Sequence, residues 1–279
     1  MSEGDPVAVR RRVMVALDMS TASRRALEAA AEMAALLGAE LHGVLVEDVN
    51  LLRLAELPGS TEIGIASASR RALDVARMRR TLEGQARELR QELGRIADQA
   101  SVGWSFDVLR GIVLDELRRA AEGAGVVAVG RCGSGFRRGR PGSTARGLLD
   151  HAGHRVVWLQ HPAPHDGQVV LVCTSEASAR RVVAAAAGLR RAILQGVAVL
   201  TVAPTAGRAA EIETVALTEL ARAQLGPTMA RRVVDASSDR VVAAAGSLQP
   251  WALVVADDDP RLTSLIDRVP CSVLVTGGD

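Results

Sequence analysis

The sequence contains no lysine and no tyrosine. All 34 basic residues are therefore arginine, set against 32 acids for a net charge of +2. The missing lysine excludes chemistry that depends on it, such as a Walker-type phosphate loop or a Schiff base. The near-neutral balance removes the electrostatic case for nucleic acid as the main partner. Aromatics are scarce too: Trp104, Phe106, Phe136, Trp158 and Trp251 are too few for a stacking platform on single strands. Cys132, Cys173 and Cys271 are odd in number and far apart, which argues against a disulfide framework and a zinc module. Long apolar runs are lacking, and the opening M-S-E-G-D-P-V-A-V-R-R-R has no apolar signal core, so a cytoplasmic location is expected.

What the chain does have is length and apolar content: 279 residues, 48% hydrophobic, enough for two α/β domains with full cores. Strand patterns at Arg12 to Leu17, Leu41 to Val46, Ser105 to Leu109, Val126 to Val129 and Arg155 to Leu159 alternate with helical ones. Ser20 or Thr21 caps the first helix, which carries Ala26, Leu27, Ala30, Met33, Ala34 and Leu37 and stops at Gly38. A helix over Ile112 to Ala121 follows Gly111. Such alternation implies right-handed crossovers and a parallel sheet covered on both faces.

The pattern then starts again. V-A-L-D-M-S-T-A-S-R-R opens one unit and V-L-V-C-T-S-E-A-S-A-R-R the other. Strands are expected at Val197 to Val202, Arg232 to Asp235, Ala252 to Ala256 and Cys271 to Thr276, with helices near Glu211 to Gln224 and over Arg240 to Leu248. The doubling predicts two tandem Rossmann-like domains, each with a five-stranded parallel sheet: 10–160, then 167–279 after the linker H-P-A-P-H-D-G. The last strand of each copy, Arg155 to Leu159 and Cys271 to Thr276, is expected to pair with the other across a pseudo-twofold axis. A homodimer is a further expectation.

The segment from Asn50 to Ala100 has no counterpart in the second copy. A helix from about Ser69 to Asp98 places Val75, Met78, Leu82, Leu89, Leu93 and Ile96 near a heptad spacing. A partner-binding seam within residues 50–98 competes with a helix that simply covers the sheet, and the short repeat favours the latter. The stretch L-L-R-L-A-E-L-P-G-S-T-E-I-G-I reads as a loop that serves as a lid or an interface.

The most informative stretch is Gly130 to Ser143, G-R-C-G-S-G-F-R-R-G-R-P-G-S, between an apolar strand and a helix start that Ser143 or Thr144 can cap. Glycines let backbone N–H groups approach an anion closely, and a helix start adds a favourable dipole. Arg137, Arg138 and Arg140 can neutralise phosphate charge, although a basic surface loop would carry the same residues.

Asp18 ending the first strand, Gly111, Gly130-x2-Gly133 and Gly142-Ser143 together resemble the universal stress protein family, whose pattern is G-x2-G-x9-G-[ST]. Here eight residues separate Gly133 from Gly142, one fewer, so the loop path can differ. H-A-G-H-R-V-V-W-L stands where the family has H-A-P-C-P-V-L-V-V, and the second copy ends V-P-C-S-V-L-V. The resemblance implies a universal-stress-type, HUP-like fold and a stress-response regulator binding ATP or another adenine nucleotide, with magnesium at most as the nucleotide's companion. It assigns Asp18 to the adenosine part, Leu45 or Val46 to the adenine pocket, and Gly130, Gly133, Gly142, Ser143 and Thr144 to the phosphates. For Asp18 the competing role is a helix cap, for which Ser20 is better placed.

The second copy departs at these positions. Aligning A-S-R-R with A-S-A-R-R sets Cys173 at Asp18, Ala256 at Gly130 and Asp259 at Gly133, with no Gly-Ser helix start. Asp257, Asp258 and Asp259 would repel phosphate, so one nucleotide per chain is expected, in the first half. His151 and His154 match an H-x-G-H motif of nucleotidylyltransferases but precede the fifth strand instead of following the first. They lie about 20 Å along the chain from His161 and His165, too far for one metal ion. Nothing fixes the reactivity of Cys132. No pattern assembles a hydrolytic site, so ATP hydrolysis is expected to be weak at most. The alternative function is an interaction module with a decayed nucleotide site, docking a partner such as a membrane transporter.

Overall fold

The computed structural model describes residues 12–57, 61–63, 70–72, 74–130, 142–149, 156–160, 167–188, 196–234 and 237–277. Strands β1 (Arg12–Leu17), β2 (Glu40–Asp48), β5 (Trp104–Gly111), β6 (Val126–Gly130) and β7 (Val156–Gln160) form the first unit, in the order β5-β2-β1-β6-β7. The second unit repeats it with β8 (Gln168–Cys173), β9 (Val197–Ala203), β10 (Pro227–Val234), β11 (Pro250–Ala256) and β12 (Ser272–Thr276), ordered β10-β9-β8-β11-β12. Each set of five is parallel, giving two tandem Rossmann-like domains.

The two sets are one ten-stranded sheet, because β7 and β12 pair antiparallel with Val273 beside Leu159 and Thr276 beside Val156. These are the two strands in which the sequence places the junction. Strand alternation divides the core between two faces. Val13, Val15 and Leu17 of β1 look to one side with Val169, Leu171 and Cys173 of β8, and Met14 and Ala16 look to the other with Val170 and Val172. The first face is covered by α1 (Thr21–Leu37), α3 (Val75–Gln99), α6 (Glu176–Gly188) and α7 (Ala206–Arg222). The second is covered by α4 (Val113–Ala120), α5 (Ser143–Leu149), α8 (Ser238–Ser247) and α9 (Leu262–Arg268).

Local chemistry explains where helices begin. Ser20 caps α1 by accepting from Ser23 N at 3.1 Å, and Gly38 ends it in the left-handed conformation, φ 58°. The long helix starts at Val75 rather than Ser69 because Asp74 accepts from Ala76 N and Arg77 N. Leu89 and Leu93 are fully buried against the sheet, so the covering role holds for its C-terminal half. The stretch read as a loop after β2 is instead a helix, α2 (Val49–Glu56), because Asp48 caps it through Asn50 N at 2.9 Å. It is followed by a short hairpin of β3 (Thr61–Ile63) and β4 (Arg70–Ala72). β10 begins at Pro227, well before the expected Arg232, since an exposed edge strand need not show apolar alternation. No helix among the described residues is long and apolar enough to cross a membrane.

Candidate functional site

A doubly wound sheet has a crevice where strand order reverses, at the carboxyl ends of the two strands whose connections leave to opposite faces. In the first unit this point lies between β1 and β6, since α1 packs on one face and α5 on the other. The register brings several expected residues to it. Leu17 is level with Leu45 on β2, and extending the β1·β6 register from Val13↔Val126 sets Gly130 level with Leu17 as well. Asp18 and Val46 then lie one residue further out on adjacent strands. Leu45 and Val46 pack on opposite faces of the sheet, so only one can line a pocket on a given face.

Asp18 is exposed, and its carboxylate accepts from Ser20 N at 2.8 Å, while its own N–H donates to Ser23 Oγ at 2.9 Å. Ser20, not Asp18, is the helix cap. Gly130 has a packing reason to be glycine: a Cβ there would lie 2.8 Å from Ala22 C and 2.9 Å from Ala22 O, in the first turn of α1. Gly142 is partly exposed, its carbonyl accepts from Arg146 N, and Ser143 and Thr144 open α5. Gly133, Cys132, Arg137, Arg138 and Arg140 lie outside the described residues, as do His151, His154, His161 and His165.

The second unit corrects the alignment at Asp18. β8 pairs with β9 and β11 in the registers that β1 makes with β2 and β6, so Cys173 matches Leu17 and Thr174 matches Asp18. Thr174 N donates to Ser178 Oγ at 2.8 Å, as Asp18 N does to Ser23 Oγ. Ser175 caps its helix through Ser178 N, as Ser20 does through Ser23 N, so the second turn is one residue shorter. The shared S-x-A-S at Ser20 to Ser23 and Ser175 to Ser178 aligns the two helix starts but would set Cys173 at Asp18, so it hides the missing residue. Cys173 is fully buried, and burial pushes its thiol up to about 12.

Ala256 does match Gly130. Beyond it, the three aspartates are paired rather than bare. Arg181 of α6 reaches Asp257 at 3.1 Å and Asp258 at 2.6 Å, spanning the second unit's crevice, and Arg261 binds the buried carboxylate of Asp259 at 3.0 Å. Ion pairs within the chain therefore fill the turn that follows β11. Neither arginine stood out in the sequence, because their partners are distant or two residues away. No group of three or more metal-ligating side chains is found among the described residues.

No curated protein matches the sequence. A universal stress protein from Archaeoglobus fulgidus DSM 4304 superposes over 96% of this chain and 98% of its own, with TM-score 0.70 at 16% identity. A universal stress protein of Pseudomonas aeruginosa UCBPP-PA14 does so over 97% and 95%, with TM-score 0.60 at 14% identity. The cytoplasmic domain of a prokaryotic cation chloride cotransporter shares the fold over 95% of both chains, with TM-score 0.53 at 11% identity. The sequence model of the universal stress protein family matches residues 10–159, more than half of the chain. The chain belongs to the universal stress protein family.

Proposed function

We propose that the chain is a cytoplasmic regulator that binds an adenine nucleotide, ATP by preference, in its first unit alone. On this reading the nucleotide-binding domain is 10–160 and the degenerate partner domain 167–279. One observation carries the proposal: Asp18, Val46 and Gly130 stand together at the carboxyl ends of three adjacent strands, at the point where strand order reverses. The equivalent places in the second unit hold Thr174, Val202 and Ala256, beside ion-paired aspartates.

The residues present fit such a ligand. Asp18 offers an exposed carboxylate to the adenosine part, Val46 or Leu45 lends an apolar wall, and the Ser143 hydroxyl is exposed for phosphate. Gly130, Gly133 and Gly142 let the backbone between β6 and α5 approach the phosphate chain. In this account Gly130 also seats α1 against β6, so the site and the packing share a residue.

Calorimetry with ATP and adenosine tests the phosphate part of the reading. ATP should bind roughly tenfold or more tightly, a difference of at least about 1.4 kcal/mol. Equal affinities would show that the glycine loop does not hold phosphate. Asp18→Ala should weaken both ligands alike while leaving the circular dichroism unchanged.

A further inference from the structure

The ten-stranded sheet ends in two edges, β10 on one side and β5 on the other. They are guarded differently. β10 opens with Pro227, shifts register between Pro227 and Met229, and ties Arg231 to Ser247 and Arg232 to Glu213. Proline, irregular register and charge are the means by which edges avoid adding strands. β5 carries charge as well, Asp107 bonded to His42 and Arg110 to Glu47, but it has no proline and no irregularity, and all eight residues from Trp104 to Gly111 pair with β2 in unbroken register.

Apolar surface gathers at that edge. Val108 is 45% exposed, and Ile112, just past the strand, is 54% exposed. α2 packs beside β5 and α3 and leaves Leu51, Leu54 and Leu57 more than half exposed. These are five of the seven large exposed hydrophobics among the described residues, and the other two, Met229 and Val234, belong to β10. A regular edge strand with Val108 and Ile112 exposed and leucines beside it is a surface suited to being covered.

We propose that β5 is the docking edge for a second copy of this chain, the two β5 strands pairing antiparallel about a twofold axis at Val108. The chain makes the same kind of joint internally, where β7 and β12 of two like units pair antiparallel. The new joint continues that sheet at its free end. The edge is also self-complementary. A twofold normal to the sheet keeps each side chain on its own face, so Val108 meets Val108, Phe106 meets Arg110 and Trp104 meets Ile112. Arginine over an aromatic ring is a favourable pair, and no like charges face each other in this register. An axis at Asp107 or at Arg110 would set like charges together. The α2 leucines of one copy flank the end of β5 that adjoins Trp104 of the other.

Sedimentation equilibrium on the full chain, over a range of concentrations, tests this. The parent should be a dimer, Val108→Lys should weaken association at least roughly tenfold with unchanged circular dichroism, and Met229→Lys on the opposite edge should leave the dimer intact. A parent that is monomeric throughout overturns the proposal, as does a dimer that survives Val108→Lys or is lost in Met229→Lys. Val108→Cys tests the register without adding charge. Mild oxidation should give a crosslinked dimer that the parent, treated alike, does not give, and no crosslink would overturn the Val108-centred joint.

Discussion

Gly130 carries the tightest constraint at the residue scale. The first turn of α1 lies so close to the end of β6 that a methyl group at Gly130 would press on the backbone of Ala22 and Ser23. Backbone in a capped helix cannot step aside as a side chain can, so Gly130→Ala should cost about 1–3 kcal/mol in urea denaturation. Gly147→Ala would meet only the side chain of Leu114 and should cost less. Equal losses would mean that α1 yields more easily than its capping by Ser20 implies. Cys173 makes a second residue-scale prediction. Its thiol is raised from 9.0 to about 12 by burial, so the folded chain keeps the proton that the unfolded chain loses first. That stabilisation is complete below about pH 9 and is lost as pH rises from there towards 12. Mass mapping after alkylation at pH 8.5 should find Cys173 unmodified in the folded protein and modified in urea. Labelling in the folded state would contradict the buried placement.

At the scale of elements, the turn after the fourth strand of the second unit is fixed by ion pairs. In the second unit the Asp257 to Asp259 turn is held by arginines of unequal weight. The side chain of Asp259 is 1% exposed beside Arg261, whereas Asp258 is 60% exposed beside Arg181. Removing the partner of a buried carboxylate costs far more than removing that of a surface one. Arg261→Met should therefore lower stability by roughly 3 kcal/mol, and Arg181→Met by less, since its partners Asp257 and Asp258 stay 29% and 60% exposed. Similar losses from thermal or urea unfolding would contradict this ranking. Most elements were legible in the sequence because buried strands such as Val126 to Val129 and capped helices such as that after Ser20 carry their own signals. The helix after Asp48 was not, since its leucines face solvent and its cap looks like the end of a strand. The start of β10 was hidden by its exposure. Cys173 was set one place out because a residue is missing before Ser175, and the strand registers, with the hydrogen bonds to Ser23 and Ser178, reveal which position matches which. The gathering of Asp18, Val46 and Gly130 could be anticipated in kind, but that Gly130 lies level with Leu17, one residue short of Asp18 and Val46, needed the register. The path of the loop through Gly133 lies outside the described residues.

The whole molecule is two copies of one unit that share a sheet, with core residues of both units on each face. The ion pair from Arg146 on α5 to Asp267 on α9, at 2.8 Å, ties the helices that follow the two fourth strands. Sharing a sheet does not make the halves equivalent. One crevice presents the exposed carboxylate of Asp18 beside Gly130, and the other is spanned by Arg181 and its aspartates. A polyphosphate entering the second crevice would have to displace those ion pairs without a glycine loop to receive it. Titrating the full chain with ATP to saturation tests the central claim most directly. The account predicts one equivalent bound per chain, abolished by Gly133→Val, and it would be contradicted by two equivalents or by a single one that survives that substitution.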